Sequence, residues 1–343
     1  MSAAANADEP GRIASLARSA LGETIAGVDP LASGIGLRRF YRVRTASGRS
    51  AIARVETDED PAGRPAGIPP EPALEPIRAL LERAGLPVPG CYGHAPGLEL
   101  LEDFGDESLC LRSRASSPAE TQRLVSHALD LLPRLQRVTD DGSGVLAFAR
   151  RLDAPYFAYK ADLFVRYSLA AALGREPRAA EDAALREAFA FIGTAAALAP
   201  LRLSHRDFQS QNLLLRPGDA LGLIDLQGAF LAPPEYDFVC LLCDSYLELP
   251  EAFVDAELER VRPGLPGAPD AVAFRARFDL LTLTRKGKDH ARFLYAAKER
   301  DDTRYLEFAP RTARMLERAS RRAAGLDPRI ARLAELLTGW AEA

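Results

Sequence analysis

The stretch Leu203-Ser204-His205-Arg206-Asp207-Phe208-Gln209-Ser210-Gln211-Asn212-Leu213-Leu214-Leu215 runs into the turn Arg216-Pro217-Gly218-Asp219 and then Leu221-Gly222-Leu223-Ile224-Asp225. Two short apolar runs around a Pro-Gly turn read as a β-hairpin. Asp207 and Asn212 lie five residues apart on the polar loop that enters the first run, and Asp225 ends the second. A hairpin brings its two ends together, so Asn212 and Asp225 are expected to be neighbours. An amide oxygen beside a carboxylate suits a hard cation such as magnesium, with waters and phosphates filling the remaining positions. Acids and amides beside apolar strands are costly to bury without such partners.

The order His-Arg-Asp, four residues, Asn, then an Asp after a hairpin matches the catalytic loop and metal-binding Asp of protein-kinase-like phosphotransferases. Phosphoryl transfer asks a protein for a carboxylate that orients the attacking hydroxyl and for cations that neutralise phosphate charge. Asp207 fits the first role, Asn212 and Asp225 the second. A lone His-x-Asp is common by chance; joined to the hairpin and to Pro234-Glu235-Tyr236-Asp237 it is far rarer. From the residues alone, the reading is an ATP- and magnesium-dependent kinase of a small-molecule hydroxyl. Only residues 226–236 separate Asp225 from Asp237, too few for a long regulated activation segment.

Working toward the N-terminus, residues 37–44 and 50–56 read as strands around Thr45-Ala46-Ser47-Gly48. Gly34 and Gly36 precede the first strand, and residues 57–70 are rich in Pro and Gly and read as a mobile loop. Leu74, Ile77, Leu80, Leu81 and Ala84 recur at helical spacing, and residues 98–101 read as another strand. A small sheet with one helix therefore closes near residue 105. Toward the C-terminus the pattern is mainly helical: Ser117-Pro118-Ala119-Glu120 is a helix start, with Ser117 as cap and Glu120 returning a hydrogen bond, and residues 156–173 and 181–198 read as helices.

Composition agrees with a globular chain: of 343 residues, 47% are hydrophobic and 27% charged, with a formal net charge of −4. That balance gives no reason to expect nucleic acid or an anionic membrane as partner. The Ala-rich polar start does not read as a secretory signal, and no run approaches the ~20 apolar residues of a membrane span. Four cysteines suggest a reduced, cytoplasmic protein; Cys240 and Cys243 form a CxxC pair inside an apolar run and read as core residues.

At this point the chain resembles the aminoglycoside phosphotransferase/choline kinase-like superfamily, through both halves. It looks most like the anomeric N-acetylmuramate/N-acetylglucosamine kinases of bacterial cell-wall recycling. That likeness is carried by Gly36-Leu37-Arg38-Arg39-Phe40-Tyr41-Arg42-Val43, His205-Arg206-Asp207-Phe208, Ile224-Asp225-Leu226-Gln227-Gly228-Ala229, Pro234-Glu235-Tyr236-Asp237, and by Arg304-Tyr305-Leu306 with Pro310-Arg311 and Leu316. The resemblance implies an α+β, protein-kinase-like two-lobed fold: a β-rich N-lobe over residues 1–104 and a helical C-lobe over residues 105–343, with the active site between them. It implies Asp207 as catalytic base, Asn212 and Asp225 as magnesium ligands, His205 as an anchor of the catalytic loop and Asp237 as its brace. Leu101 and Asp103 would belong to the hinge that meets adenine, and Gly34 and Gly36 would admit the phosphates.

The chain departs from the superfamily in offering Arg54 where a Lys is usual on the strand over residues 51–55. Its expected acid partner is Glu75, with Glu71 the next choice; a solvated helix-start acid is an equal reading. Arg38 and Arg39 are further sources of positive charge. The family's acid after Ile-Asp-Phe-Gln is here Gly228, which is expected to alter substrate contacts.

For the acceptor, Gln209, Gln227 and Glu235 flank the catalytic loop, and Tyr167 falls near an aromatic of the sugar kinases; each reads equally or better as structural. Arg292 ends the run Arg285-Lys286-Gly287-Lys288-Asp289-His290-Ala291-Arg292, which reads as a solvated helix face or as a surface for an anionic acceptor such as a lactyl carboxylate. Three functions compete: an anomeric amino-sugar kinase giving a sugar 1-phosphate, a kinase of the same fold for an aminoglycoside, choline or another alcohol, and a non-catalytic nucleotide-binding regulator. Antibiotic-modifying members need an acidic pocket for a cationic drug, so the charge around Asp207 separates the first two.

Overall fold

The structure, a computed structural model, describes residues 8–32, 38–56 and 67–340. Gly34 and Gly36, and most of the Pro- and Gly-rich stretch, lie outside the described residues.

Strands β1 (Ile25–Pro30), β2 (Arg39–Thr45), β3 (Ser50–Val55), β4 (Cys91–Ala95) and β5 (Leu98–Glu102) form an antiparallel sheet in the order β1-β2-β3-β5-β4. Helix α1 (Glu9–Leu21) covers one face. It places Ile13 and Ala17 against Val43, Ala51, Ala53, Val55, Leu98 and Leu100. The sequence reading had one helix and three strands here. The added α1 follows from Ile13, Leu16, Ala17 and Ala20 at helical spacing, from Pro10 in the first turn and from the left-handed Gly22 that ends it. Helix α2 (Leu74–Arg83) buries Leu74, Ile77, Leu80 and Leu81 in the larger core of the C-terminal part, and so ties the sheet's half of the chain to the other half.

The C-terminal part is mainly helical. Ser117 Oγ accepts the Glu120 N–H at 3.2 Å, as the cap predicts, whereas the Glu120 carboxylate turns to Arg123 instead of returning to the cap. The segment read as one helix over residues 156–173 is interrupted: a π-helical turn, Phe164–Leu169, follows helix Ala154–Leu163. Helix Ala179–Ala197 and the 30-residue helix Ala271–Arg300 pack against this segment, with Phe164 and Phe189 in contact at 5.7 Å. All four cysteines are free, and Cys240 and Cys243 are buried. Among the described residues no helix is long and apolar enough to cross a membrane.

Two short pairings break the helical part. β6 (Arg202–Ser204) pairs with β9 (Phe230–Ala232), and β7 (Leu213–Arg216) with β8 (Ala220–Leu223), both antiparallel. The register Leu213↔Leu223 leaves Asn212 and Ile224 at the open end of the hairpin, where the Ile224 N–H donates to the Asn212 carbonyl at 3.1 Å. The segment after β5 lies on this hairpin: Phe104 rests on Gly222, and the Arg216 guanidinium covers its ring at 4.5 Å. A Cβ at position 222 would come within 2.3 Å of Phe104 Cδ2. Gly222 is therefore required by close approach, and Gly222→Val should lower stability by about 1–3 kcal/mol through overpacking, read as a reduced urea midpoint. An unchanged midpoint would show that this contact is not tight.

Candidate active site

The loop His205-Arg206-Asp207 leaves β6 and is held from below by helix Tyr236–Leu242. Asp237, in the first turn of that helix and 1% exposed, accepts from Ser204 Oγ at 2.9 Å, from the His205 N–H at 2.9 Å and from the Arg206 N–H at 3.1 Å. Burial pushes its carboxyl pKa up, and these donors oppose the shift. His205 Nε2 lies 2.9 Å from the Ile224 carbonyl, which links the loop to the end of the hairpin. Arg206 adopts φ 76°, an uncommon conformation for a side chain of this size. Its carbonyl is met at 2.9 Å by Arg285 Nη1 and at 3.3 Å by Cys240 Sγ. Asn212 donates its amide to the Asp207 carbonyl at 2.8 Å.

Asp207 Oδ1 accepts from Arg285 Nη1 at 2.7 Å. Although burial raises its pKa, Arg285, Lys288 and Arg206 more than offset this and hold the Asp207 carboxyl well below the usual carboxylate range. Arg285 stands in the middle of helix Ala271–Arg300 and is itself 2% exposed. It also meets Asp289 at 3.1 Å, and Asp289 takes Lys286 at 2.8 Å and Lys288 at 3.1 Å. The run of charges from 285 to 292 is therefore not the solvated face that its composition suggested. Arg285, Lys286, Asp289 and His290 are buried, His290 with Nδ1 2.8 Å from Ser168 Oγ.

A cleft of about 560 Å³ opens between the sheet and the helical part. Its wall at the sheet is set by the pleat. Arg38, Phe40 and Arg42 from β2 and the residue before it, with Ile52 and Arg54 from β3, line the cleft. Arg39 and Tyr41 point to the opposite face, where both bond the Glu9 carboxylate of α1. Arg39 is thus removed from the candidate nucleotide residues. Arg54 lines the cleft but spends Nη1 on Glu56 at 2.6 Å and Glu99 at 2.7 Å. Its expected partner Glu75 instead makes a bidentate pair with Arg78, 2.6 and 2.8 Å, and does not line the cleft. Leu101 and Asp103 border the cleft, and Asp103 is gripped by Arg42 at 2.7 Å, which also holds Asp106. Sequence reasoning passed over Arg42; its spacing of two from Phe40 and four from Arg38 was the available signal.

Asn212 and Asp225 both line the cleft at the hairpin's open end, Asp225 in the left-handed conformation with φ 64°. Gln227 donates to Asp225 Oδ1 at 2.6 Å. Asn212, whose amide nitrogen is taken by the Asp207 carbonyl, has its oxygen left over, and with the Asp225 carboxylate it makes a donor set of hard oxygens that fits magnesium. Gln209 lines the cleft, with Oε1 3.3 Å from Arg285, and so do Gln227 and Arg292. Two expected acceptor residues do not. Glu235 is fully buried and paired with Arg277 at 2.8 Å, and Tyr167 packs edge-on against Tyr295 with its hydroxyl 3.4 Å from Glu299.

Comparison with known proteins agrees with this geometry. The family described as "Phosphotransferase enzyme family" matches residues 27–275. A Pseudomonas aeruginosa protein named N-acetylmuramate/N-acetylglucosamine kinase is 30% identical over 279 residues, 78% of this chain and 79% of that protein. A Neisseria meningitidis protein of the same name is 28% identical over 310 residues, 88% and 87% of the two chains. Among solved structures, the choline kinase LicA of Streptococcus pneumoniae aligns with TM-score 0.58 at 15% identity, over 87% of this chain and 95% of that one. An AMP-bound spectinomycin phosphotransferase aligns with TM-score 0.57 at 12% identity, over 87% and 93%.

Arg285 is the counter-charge of both Asp207 and Asp289, so Arg285→Met should cost about 3–5 kcal/mol, the usual penalty for stranding buried charge. The check is the urea midpoint at neutral pH; a loss under about 1 kcal/mol would mean that water reaches these carboxylates.

Proposed function

The chain belongs to the APH phosphotransferase enzyme family, and on that premise we propose that it is an ATP-dependent kinase that phosphorylates the anomeric hydroxyl of an N-acetylated amino sugar. The observation that carries the reading is Asp207, held ionised by Arg285, with Asn212 and Asp225 lining the same cleft at the end of one hairpin. The sugar assignment is supported by the names of the relatives at 26–30% identity.

Arg285 hydrogen-bonds one oxygen of Asp207, and Oδ2, with Arg206 Nε at 3.7 Å but no hydrogen bond, is left for the acceptor hydroxyl. A carboxylate with so low a pKa is a weak base, so its main work is to orient that hydroxyl. It receives the proton as the oxygen–phosphorus bond forms and the bond to the bridging oxygen of ATP breaks, giving ADP and a sugar 1-phosphate. Asn212 and Asp225 would hold magnesium, which when bound neutralises charge on the phosphates. Free cysteines suit a cytoplasmic setting.

The acceptor end of the cleft supports a sugar over a cationic drug or choline. Its charged lining is Arg285, Lys286, Lys288 and Arg292 against Asp207, Asp244 and Asp289, four cations to three acids. None of the acids is idle: Asp289 holds three of those cations, and Asp244 accepts the Ser210 and Tyr246 N–H groups. Arg292 has no hydrogen-bond or ion-pair partner among the described residues and suits an acceptor carboxylate such as a lactyl group. Tyr305, partly exposed and stacked on the buried Phe293 at 6.0 Å, offers an apolar surface for a pyranose face.

ADP release with ATP and magnesium should depend on N-acetylmuramate or N-acetylglucosamine, and Asp207→Asn should lower it by roughly 10²–10⁴-fold. Turnover confined to an aminoglycoside or choline would overturn the sugar reading and keep the kinase. Burial brings the Lys288 pKa down to about 8, so its positive charge is lost as pH rises through that value. Lys288 lines the cleft with Arg292 and would share the acceptor carboxylate with it, so for N-acetylmuramate kcat/KM should fall above about pH 8, Lys288→Met should abolish that limb, and neutral N-acetylglucosamine should lack it. Equal limbs for both sugars would remove Lys288 from carboxylate recognition.

A further inference from the structure

Resting on that reading, we propose that the cation which grips the transferring phosphates is Arg38, ahead of β2, rather than Arg54 on β3, and that Glu71 positions it by bridging to the catalytic loop. Arg38 and Arg54 both line the cleft, so facing alone does not choose between them. Their partners do. Arg54 is 2% exposed, with Nη1 held between the Glu56 and Glu99 carboxylates on its own side of the cleft and Nη2 buried without a hydrogen-bond partner among the described residues. Arg38 instead reaches across the cleft, with Nη1 3.8 Å from Asp225 Oδ1. A triphosphate whose metal sits on Asp225 would bring its phosphate oxygens beside that guanidinium, which is suited to bidentate phosphate contact.

Glu71 fixes where Arg38 points. Its carboxylate bonds Arg38 through one oxygen and Arg206, the residue before Asp207, through the other. These two cations outweigh the cost of burial and hold Glu71 down to about 2, ionised throughout the physiological range. Three segments are thereby linked: the start of β2, the approach to α2, and the catalytic loop. Gly228 makes the link possible, because a Cβ there would lie 2.9 Å from Arg206 Nη1. The missing side chain at position 228 is the space through which Arg206 reaches Glu71.

The test is nucleotide binding by calorimetry without acceptor, comparing ATP–magnesium with adenosine. Arg38→Met should weaken ATP by roughly 10–100-fold, as loss of a charge-assisted contact does, and leave adenosine unchanged. Arg38→Lys should recover part of the loss, and Arg54→Met should leave the ATP-to-adenosine ratio as it is. Glu71→Gln should lower that ratio in the wild type and have no further effect in Arg38→Met, an outcome that a merely structural acid would not give. A ratio unchanged in Arg38→Met, or lost in Arg54→Met instead, overturns the assignment while leaving the kinase intact. A wild-type protein that binds neither ATP–magnesium nor adenosine overturns the kinase reading as well.

Discussion

Three donors converge on the Asp237 carboxylate, two of them backbone N–H groups of the loop that carries Asp207. Without that acceptor the Arg206 N–H would keep only Ser204 Oγ, at 3.1 Å, and the left-handed backbone of this residue would lose its anchor on that side. The carbonyl of the same residue is closed by Arg285 and Cys240. One residue of backbone is thus clamped from both faces, and the directions of Asp207 and Arg206 follow from it. The hairpin is then hung on this loop through His205 and Ile224.

The molecule places an unusual share of buried charge on one helix. Arg285, Lys286 and Asp289 are each under a tenth exposed, and no apolar substitution pattern would predict them there. Taken alone, each would be prohibitively costly to desolvate; together they form a web in which every acid meets at least one cation. The web does two things at once. It supports the floor of the cleft, and it brings Arg285, Lys286 and Lys288 to the cleft lining beside Asp207 and Asp289.

Much of this was legible in the residue order. The spacing of His205, Asp207, Asn212 and Asp225, with the apolar runs between them, is local information, and the hairpin register follows from it. What was not legible depends on contacts between distant segments. A run such as 285–292 reads as solvated because sequence carries no sign that Asp207 lies 2.7 Å from Arg285, 78 positions away. Glu235 stands near the chemistry by its place beside the catalytic loop and Tyr167 by family likeness, yet the helix Ala271–Arg300 supplies both with structural partners, Arg277 and Glu299. Glu71 and Glu75 stand four apart and look alike in sequence; only the presence of Arg78 beside one and of Arg38 and Arg206 around the other separates them.

The pleat of β2 decides which of two adjacent arginines enters the cleft, and its phase is locked by pairing with β3, Phe40 to Arg54 and Arg42 to Ile52. The two ends of β2 therefore differ in what an insertion or deletion would do. Residues added ahead of Arg38 leave that pairing untouched. A single residue added within the turn between β2 and β3 invites a one-place slip, and a slip of one exchanges the two faces of the strand. Arg39 would then point into the cleft and Arg38 toward Glu9. Length variation between related chains should accordingly collect before β2 and be excluded from the turn after it.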